Sequence, residues 1–263
     1  MHLDIREILS KRIGRRLPKF ISRPLEKLIH QDELNGFFAT CEGATPEEFL
    51  KKAFEFLNVT HTVEYTAPLA DDERYIFASN HPFGGLDGML LVDALIERFG
   101  DAGAVVNDLL MNISYLEPLW IPINKYGKQS AEKGRRYDEA FSSHSKQVLT
   151  FSAGFCSRYI DGRVQDIEWR SHFVKDALRY NRKVVPVFVE GTLSKRFYRI
   201  YRLRRFLHLN VNLELVLLVD EMFRQRGNHI HIRVGAPVDV ATLEGSRGDI
   251  CKEIRRRAYA LER

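Results

Sequence analysis

From about residue 62 onward, apolar strand-like segments alternate with helical segments along the sequence. The pattern predicts strands at 74–79, 148–152, 184–189 and 230–235, and helices at 86–99, 171–180 and 244–263. Alternation of this kind is typical of a sheet whose strands run mostly parallel, because each strand must be followed by a crossover, usually a helix. We therefore predict an α/β fold with a mainly parallel central sheet flanked by helices.

Residues 1–61 lack this alternation and are predicted to form a separate helical region, followed by a second domain at 62–263. The clearest helix of the first region begins after Thr45, the expected N-cap. Pro46 suits the first helical position, and Glu48 completes a capping box. The chain has 263 residues, of which 44% are hydrophobic, which is enough for a sizeable core.

Basic residues are concentrated in two segments, 1–30 and 194–209. The first contains eight Lys or Arg against three Asp or Glu, and the second contains six Lys or Arg and no acid. The spacing in 194–209 predicts an amphipathic helix with an aromatic-apolar side and a basic side. Such a helix suits an anionic membrane surface. A half-buried helix with solvated arginines and a nucleic-acid patch are alternatives, but a net charge of +5 is too small to imply nucleic acid.

The sequence predicts no segment that spans a membrane. Its longest apolar runs, 184–189 and 215–219, are far shorter than the roughly 20 residues that a bilayer requires. The N-terminal residues carry charges where a signal peptide would have an apolar stretch. We therefore expect a cytoplasmic protein that attaches peripherally to the inner face of the membrane.

The cysteine and histidine patterns predict neither disulfides nor a metal. Cys41, Cys156 and Cys251 are too few and too scattered for a disulfide framework or a closed zinc site, which fits a reducing compartment. His229 and His231 would share one face of a strand and could ligate a metal, but no third ligand is evident. No metal or cofactor is expected.

The segment RYIFASNHPFGGLDG contains the residues best suited to catalysis. An apolar strand ends at Asn80 and His81, and Asp87 follows at the start of a helix. Open α/β sheets have their sites at the C-terminal ends of strands. Gly84 and Gly85 would let the loop fold the Asp87 carboxylate back to the imidazole, leaving the other ring nitrogen as a base. The alternative is a histidine that caps the helix and an unrelated helix-terminal aspartate.

NHPFGGLD resembles the first motif, NHxxxxD, of the PlsC-like glycerophosphate and lysophospholipid acyltransferases. Five residues separate His81 from Asp87 here, where the usual motif has four. The form NHPxGGLDG is similar to the hemolysin-like branch of that superfamily. The resemblance covers about residues 62–240.

Three further family blocks follow in the expected order. Residues 119–125 resemble the second block, with Asn124 and Lys125 in the places of its usual aspartate and arginine. Residues 150–158 resemble the third block but lack its common glutamate. Residues 185–188 resemble the fourth.

The resemblance implies that His81, oriented by Asp87, deprotonates an acceptor hydroxyl as it attacks an acyl thioester. Backbone amides between Gly154 and Ser157 would stabilise the oxyanion. No acyl-enzyme is required, so Cys156 is expected to be a core or site-lining residue. No GxSxG nucleophile motif is present either.

The remaining candidates are substrate-binding residues. Lys125 and Arg158 are cations suited to an acceptor phosphate or carboxylate, and each could equally be a surface charge. The segment EGTLS after the fourth block adds Glu190 and Ser194 as secondary candidates. The first motif adds Asn80, Gly84 and Gly85.

The predicted function is O-acyl transfer from acyl carrier protein or CoA to the hydroxyl of a single-chain lipid. The acceptor would be a lysophospholipid or a lyso-aminolipid. Two alternatives remain at this point, a non-catalytic membrane-binding protein of the same fold and a thioester or lipid hydrolase.

Overall fold

The computed structural model describes residues 2–16, 18–107, 113–123, 130–207 and 214–262. The helices in these residues are α1 (Ile5–Ile13), α2 (Lys19–Leu28), α3 (Gln31–Thr40), α4 (Pro46–Leu57), α5 (Gly85–Phe99), α6 (Ala131–Ser142), α7 (His172–Tyr180), α8 (Lys195–Phe206), α9 (Glu214–Phe223) and α10 (Arg247–Tyr259). The strands are β1 (Thr60–Tyr65), β2 (Tyr75–Ser79), β3 (Ala102–Asn107), β4 (Trp120–Ile123), β5 (Gln147–Thr150), β6 (Arg158–Ile160), β7 (Arg163–Gln165), β8 (Lys183–Val189) and β9 (His229–Val234).

Within the described residues, seven strands form one sheet in the order β1-β9-β8-β2-β5-β3-β4. Neighbouring strands are parallel except β8 and β9, which are antiparallel. β6 and β7 form a separate antiparallel hairpin. The predicted α/β fold with a mainly parallel sheet is therefore confirmed.

The chain divides into two compact units. One comprises residues 60–192 and 229–263 and contains the whole sheet. The other comprises residues 1–59 and 193–228 and is helical. A single boundary near residue 61 does not describe this division, because the chain returns to the helical unit through α8 and α9.

Contacts within the helical unit explain why α9 belongs to it. Asp220 on α9 accepts a hydrogen bond from His30 Nε2 at 3.2 Å, and the His30 ring stacks on Phe223 with centroids 3.9 Å apart. Thr45 and Glu48 form the expected capping box of α4. The sequence shows the cap because its residues are adjacent, but it does not show contacts between segments about 190 residues apart.

Helix α8 differs in part from the predicted aromatic and basic sides. Phe197 and Tyr198 are buried, whereas Leu203 and Phe206 are 57% and 79% exposed. The apolar side chains of α8 are thus partly buried and partly exposed. No described helix is long and apolar enough to cross a membrane.

The centre of the sheet positions the candidate site. β2 is buried along its whole length and lies between β5 and β8, to both of which it is parallel. The segments that follow these three strands therefore leave the same edge of the sheet. They carry His81, the third family block and the EGTLS segment.

Candidate active site

His81 and Asp87 form a hydrogen-bonded pair at the end of β2. The imidazole Nδ1 lies 3.2 Å from Asp87 Oδ2. The His81 side chain is 15% exposed, whereas that of Asp87 is fully buried. A carboxylate at Nδ1 places the ring proton there and leaves Nε2 as a base that a substrate can reach.

The loop between His81 and Asp87 is shaped by a hydrogen bond from a backbone N–H group and by the backbone conformation of a glycine. The Phe83 N–H also donates to Asp87 Oδ2, at 3.0 Å. Gly84 has φ 81° and ψ −120°, which residues with a side chain rarely adopt. Gly85 needs no such freedom, since its φ is not positive and a Cβ there would meet no atom within 4 Å. The expected role in folding the loop therefore belongs to Gly84 and not to Gly85.

The segment after β5 packs on the imidazole. The Phe151 ring stacks on His81 with centroids 4.0 Å apart and an interplanar angle of 26°. The Ser157 N–H donates to the His81 carbonyl at 2.7 Å, and the Gly154 N–H donates to the Phe151 carbonyl at 2.9 Å. These two amides are already hydrogen-bonded within the protein, and the oxyanion role expected for the backbone amides of this loop stays a prediction.

Arg158 is buried and is not the ordinary surface charge that the sequence left open. Its Nη1 donates to the carbonyl oxygens of Cys156 and Ser157, at 2.6 and 3.2 Å. The guanidinium thus holds its own loop together. A direct contact with an acceptor headgroup would require this cation to leave a buried position.

Cys156 lies in the same loop and is buried. Burial raises the pKa of its thiol to about 12, with a further contribution from the Asp87 charge. A thiol with such a pKa is protonated at neutral pH and is a poor nucleophile.

The sequence is similar to known proteins along almost the whole chain. The model of a family described as acyltransferases matches residues 7–263. Lyso-glycine lipid O-acyltransferases from Phocaeicola vulgatus and Bacteroides thetaiotaomicron are each 34% identical over 249 residues, which is 93% of this chain and 89% and 91% of theirs.

The chain belongs to the acyltransferase family. Its sequence resembles the two relatives over almost their whole length, so it is an acyltransferase rather than a non-catalytic membrane protein. Among solved structures, PlsC, the 1-acyl-sn-glycerophosphate acyltransferase of Thermotoga maritima, aligns with a TM-score of 0.48 and 16% identity. The alignment covers 82% of this chain and 78% of that one.

In this acyltransferase, the side chain of Asn80 connects two neighbouring strands. Its side-chain amide donates to the Val189 carbonyl at 2.9 Å, and its Oδ1 accepts the Val189 N–H at 2.7 Å. Both groups of the amide are therefore engaged at the end of β8. The expectation that Asn80 binds substrate is replaced by one in which it fastens β2 to β8.

The EGTLS segment contributes a glycine instead of the two side chains expected. Glu190 is exposed, and its Oε2 lies 3.3 Å from Arg233 Nη1. Gly191 has φ 149°, and a Cβ there would lie only 1.9 Å from the Phe83 ring. Gly191 thus lets this segment pack directly on the loop that carries His81.

Ser194 belongs to the helical unit and caps α8. Its Oγ accepts the Phe197 N–H, and its own N–H and Oγ donate to the buried carboxylate of Glu221. These bonds account for Ser194 without a substrate, so its prediction as a site residue is not supported. Lys125 and Asn124 lie outside the described residues.

His229 and His231 on β9 are exposed, and each lies next to a threonine of β1. His229 Nδ1 lies 2.7 Å from Thr60 Oγ1, and His231 Nδ1 lies 3.1 Å from Thr62 Oγ1. In the part of the chain that the structure describes, no three His, Cys, Asp or Glu side chains are grouped to hold a metal ion.

Asp166 is a site residue that the sequence did not reveal. It directly follows the β6–β7 hairpin, and its Oδ1 accepts the His81 backbone N–H at 3.2 Å. Its surroundings in the sequence, RVQDIEWR, mix charged and apolar residues without a motif, so they gave no signal that this acid lies at the site.

Proposed function

We propose that this acyltransferase transfers a fatty acyl group from acyl carrier protein or CoA to the hydroxyl of a single-chain lipid. The observation that carries the proposal is the His81–Asp87 pair. Its carboxylate is buried, its imidazole is partly exposed, and its Nε2 makes no hydrogen bond within the described residues. This is the arrangement that a general base requires.

The chemistry follows from that pair. His81 Nε2 takes the proton of the acceptor hydroxyl while the hydroxyl oxygen attacks the thioester carbonyl. The tetrahedral intermediate then expels the thiolate with cleavage of the C–S bond, and the imidazolium returns the proton to sulfur. Asp87 stabilises the imidazolium between these two steps. The ester and the free thiol are the products, and no residue of the enzyme is acylated.

The acceptor we propose is a lyso-aminolipid, a single acyl chain on an amino acid headgroup with a free hydroxyl. Support comes from the two relatives, both named for a lyso-glycine lipid and both matched along nearly their full length. A lysophospholipid is the alternative within the same chemistry.

We also propose that the enzyme reaches its lipid by peripheral attachment to an anionic membrane surface. Among the described residues of the helical unit, six large hydrophobic side chains are exposed. They are Ile8, Phe20, Ile21, Leu203, Phe206 and Leu207. They lie in or beside the two basic segments of the sequence. Apolar side chains flanked by Lys and Arg favour the interface of an anionic bilayer.

The test is product analysis with a radiolabelled acyl thioester. Purified enzyme would be given acyl carrier protein or CoA thioesters together with lyso-glycine lipid or lysophosphatidic acid. The proposal predicts labelled diacyl-type aminolipid and stoichiometric release of thiol. Labelled free fatty acid alone would identify a hydrolase, and labelled phosphatidic acid alone would reject the proposed acceptor.

A further inference from the structure

The Asp166 carboxylate is the buried acid next to His81 that the general-base mechanism does not use. Asp166 is 2% exposed and follows the β6–β7 hairpin. The hairpin returns the chain from the third family block to the loop of the first. A buried carboxylate costs free energy unless it is fully hydrogen-bonded, so its partners indicate what it does.

Three donors surround this carboxylate. Oδ1 accepts the His81 backbone N–H at 3.2 Å and the Ser157 hydroxyl at 2.6 Å, and Oδ2 accepts the Trp169 indole N–H at 2.8 Å. Backbone and indole N–H groups can only donate. The two N–H groups therefore require acceptor oxygens at Asp166, and its carboxyl group supplies one to each of them. Burial raises the pKa of Asp166, and these hydrogen bonds oppose that effect.

The His81 main chain is thereby held on both sides. Asp166 accepts its N–H, while the Ser157 N–H donates to its carbonyl oxygen at 2.7 Å. Ser157 and Asp166 are also bonded to each other, so the three residues form a closed set of hydrogen bonds. The imidazole is fixed separately, by Asp87 and by the stacked Phe151 ring.

Helix α10 in turn fixes the backbone of Asp166. The Asp166 N–H donates to Tyr259 Oη at 2.7 Å, and Arg255 Nη2 donates to the Asp166 carbonyl at 3.0 Å. Both side chains lie on α10. The backbone that carries the Asp166 carboxylate is thus anchored to helix α10 and not to a loop alone.

We infer that Asp166 is a positioning residue, which fixes the backbone of His81 so that its imidazole meets the acceptor hydroxyl at the correct distance. This inference rests on the proposed role of His81 as the base. A displacement of about 1 Å in such a group can cost about 100-fold in rate. The effect should fall on kcat, because Asp166 is buried and its carboxylate oxygens are already bonded to groups of the protein.

The first test is Asp166→Asn, with Asp176→Asn as the matched control. Asp176 is also a buried aspartate and accepts the Tyr137 hydroxyl at 2.6 Å, but on α7. In Asp166→Asn the amide NH2 must face one of the three donors. We expect kcat to fall at least about tenfold with KM changed less than about twofold. Asp176→Asn should lose stability and keep its kcat per folded molecule.

The second test separates position from charge. In Asp166→Asn/Trp169→Phe the indole donor is gone, so the amide can direct its oxygen to His81 and Ser157 without a donor–donor clash. Positioning predicts that kcat returns to within about threefold of Trp169→Phe alone. The double variant also carries the test if Asp166→Asn alone does not fold.

Two results would overturn the inference. One is a folded Asp166→Asn enzyme whose kcat equals that of Asp176→Asn. The other is a double variant that remains more than about tenfold below Trp169→Phe, because the charge and not the acceptor oxygen would then be required. Failure of the proposed function is distinguishable, since wild-type enzyme would then form no acyl lipid at all.

Discussion

Gly84 is the residue whose backbone geometry most directly determines the catalytic loop. Its φ of 81° with ψ −120° is strained for any residue with a side chain. We expect Gly84→Ala to lower the free energy of unfolding by about 1–3 kcal/mol and to reduce kcat, because the loop sets the His81–Asp87 distance. Gly85→Ala is the control and should leave the free energy of unfolding unchanged or slightly raised, since a helical Ala is favoured over Gly. Urea unfolding and steady-state kinetics would show both effects, and equal behaviour of the two variants would contradict this account.

Cys156 provides a second residue-scale prediction. Because burial raises the pKa of its thiol to about 12, the thiolate is scarce at pH 8. Iodoacetamide should therefore leave the native enzyme active and unlabelled at Cys156, and should label it in guanidinium chloride. Cys156→Ala should keep kcat within about threefold, since no acyl-enzyme is formed. Labelling of the native thiol in parallel with loss of activity would show that it takes part in the reaction.

The catalytic pair could be predicted from the sequence because both residues lie in one short loop next to a buried strand. Asn80, Arg158 and Ser194 could not be assigned in the same way. Their side chains are polar and lie within family-like motifs, but their partners come from distant segments or from backbone carbonyls. Such bonds leave no periodic trace in the sequence, which is also why Asp166 was missed.

At the scale of elements, Arg182 joins α6 and the sheet at the start of β8. Its buried guanidinium donates to five backbone carbonyls, those of Tyr75, Ala140, Phe141, Ser143 and Lys146. Burial lowers the pKa of Arg182 to about 10, so the side chain stays charged at neutral pH. Three of the five carbonyls belong to the C-terminal end of α6 and the residue after it. The C-terminal end of a helix carries a partial negative charge, so it favours a cation such as this guanidinium.

Arg182→Met should therefore destabilise the fold strongly. It would leave several buried carbonyls without a donor, and we expect a loss of about 3 kcal/mol or more in the free energy of unfolding. Arg179→Met is the matched control, because Arg179 is 57% exposed and makes an ion pair with Asp138 at 3.3 Å. That change should cost less than about 1 kcal/mol. A midpoint of urea unfolding that shifts equally in both variants would reject the role given to Arg182.

Helix α8 permits a test of membrane attachment. Arg199, Arg202 and Arg205 are exposed, as are Leu203 and Phe206. Each cation near an anionic surface contributes about 1 kcal/mol, so the triple change to Gln should weaken vesicle binding by up to about 100-fold. About 1 M salt should have a similar effect on the wild type, because it shortens the Debye length to about 3 Å. Activity on detergent-dispersed substrate should largely survive.

A control with the same loss of charge changes Arg247, Lys252 and Arg256 of α10, all exposed, to Gln. It should bind anionic vesicles like the wild type if the location of the charge matters. Equal binding of all three proteins to anionic and neutral vesicles would exclude α8 as a membrane contact.

At the scale of the whole molecule, the alternation of strands and helices was sufficient to predict the α/β class, but not the division into two units. Helix α8 follows directly on the sheet segment, and its sequence alone does not show that it belongs with the N-terminal helices. The order of strands was likewise not predictable, because β2 pairs with β5 and β8, which lie about 70 and 110 residues away in the chain. Hydrophobic periodicity reports which face of an element is buried and not which partner buries it.

The central claim is that His81 is the general base for acyl transfer to a lipid hydroxyl. The direct measurement is kcat for purified His81→Ala with an acyl thioester and lyso-glycine lipid, with folding verified by circular dichroism. His144→Ala, which removes an exposed histidine from a turn, is the control and should keep the wild-type rate. The account predicts that His81→Ala folds normally and loses about 10²–10⁴-fold in kcat. Turnover by His81→Ala close to that of His144→Ala would contradict it.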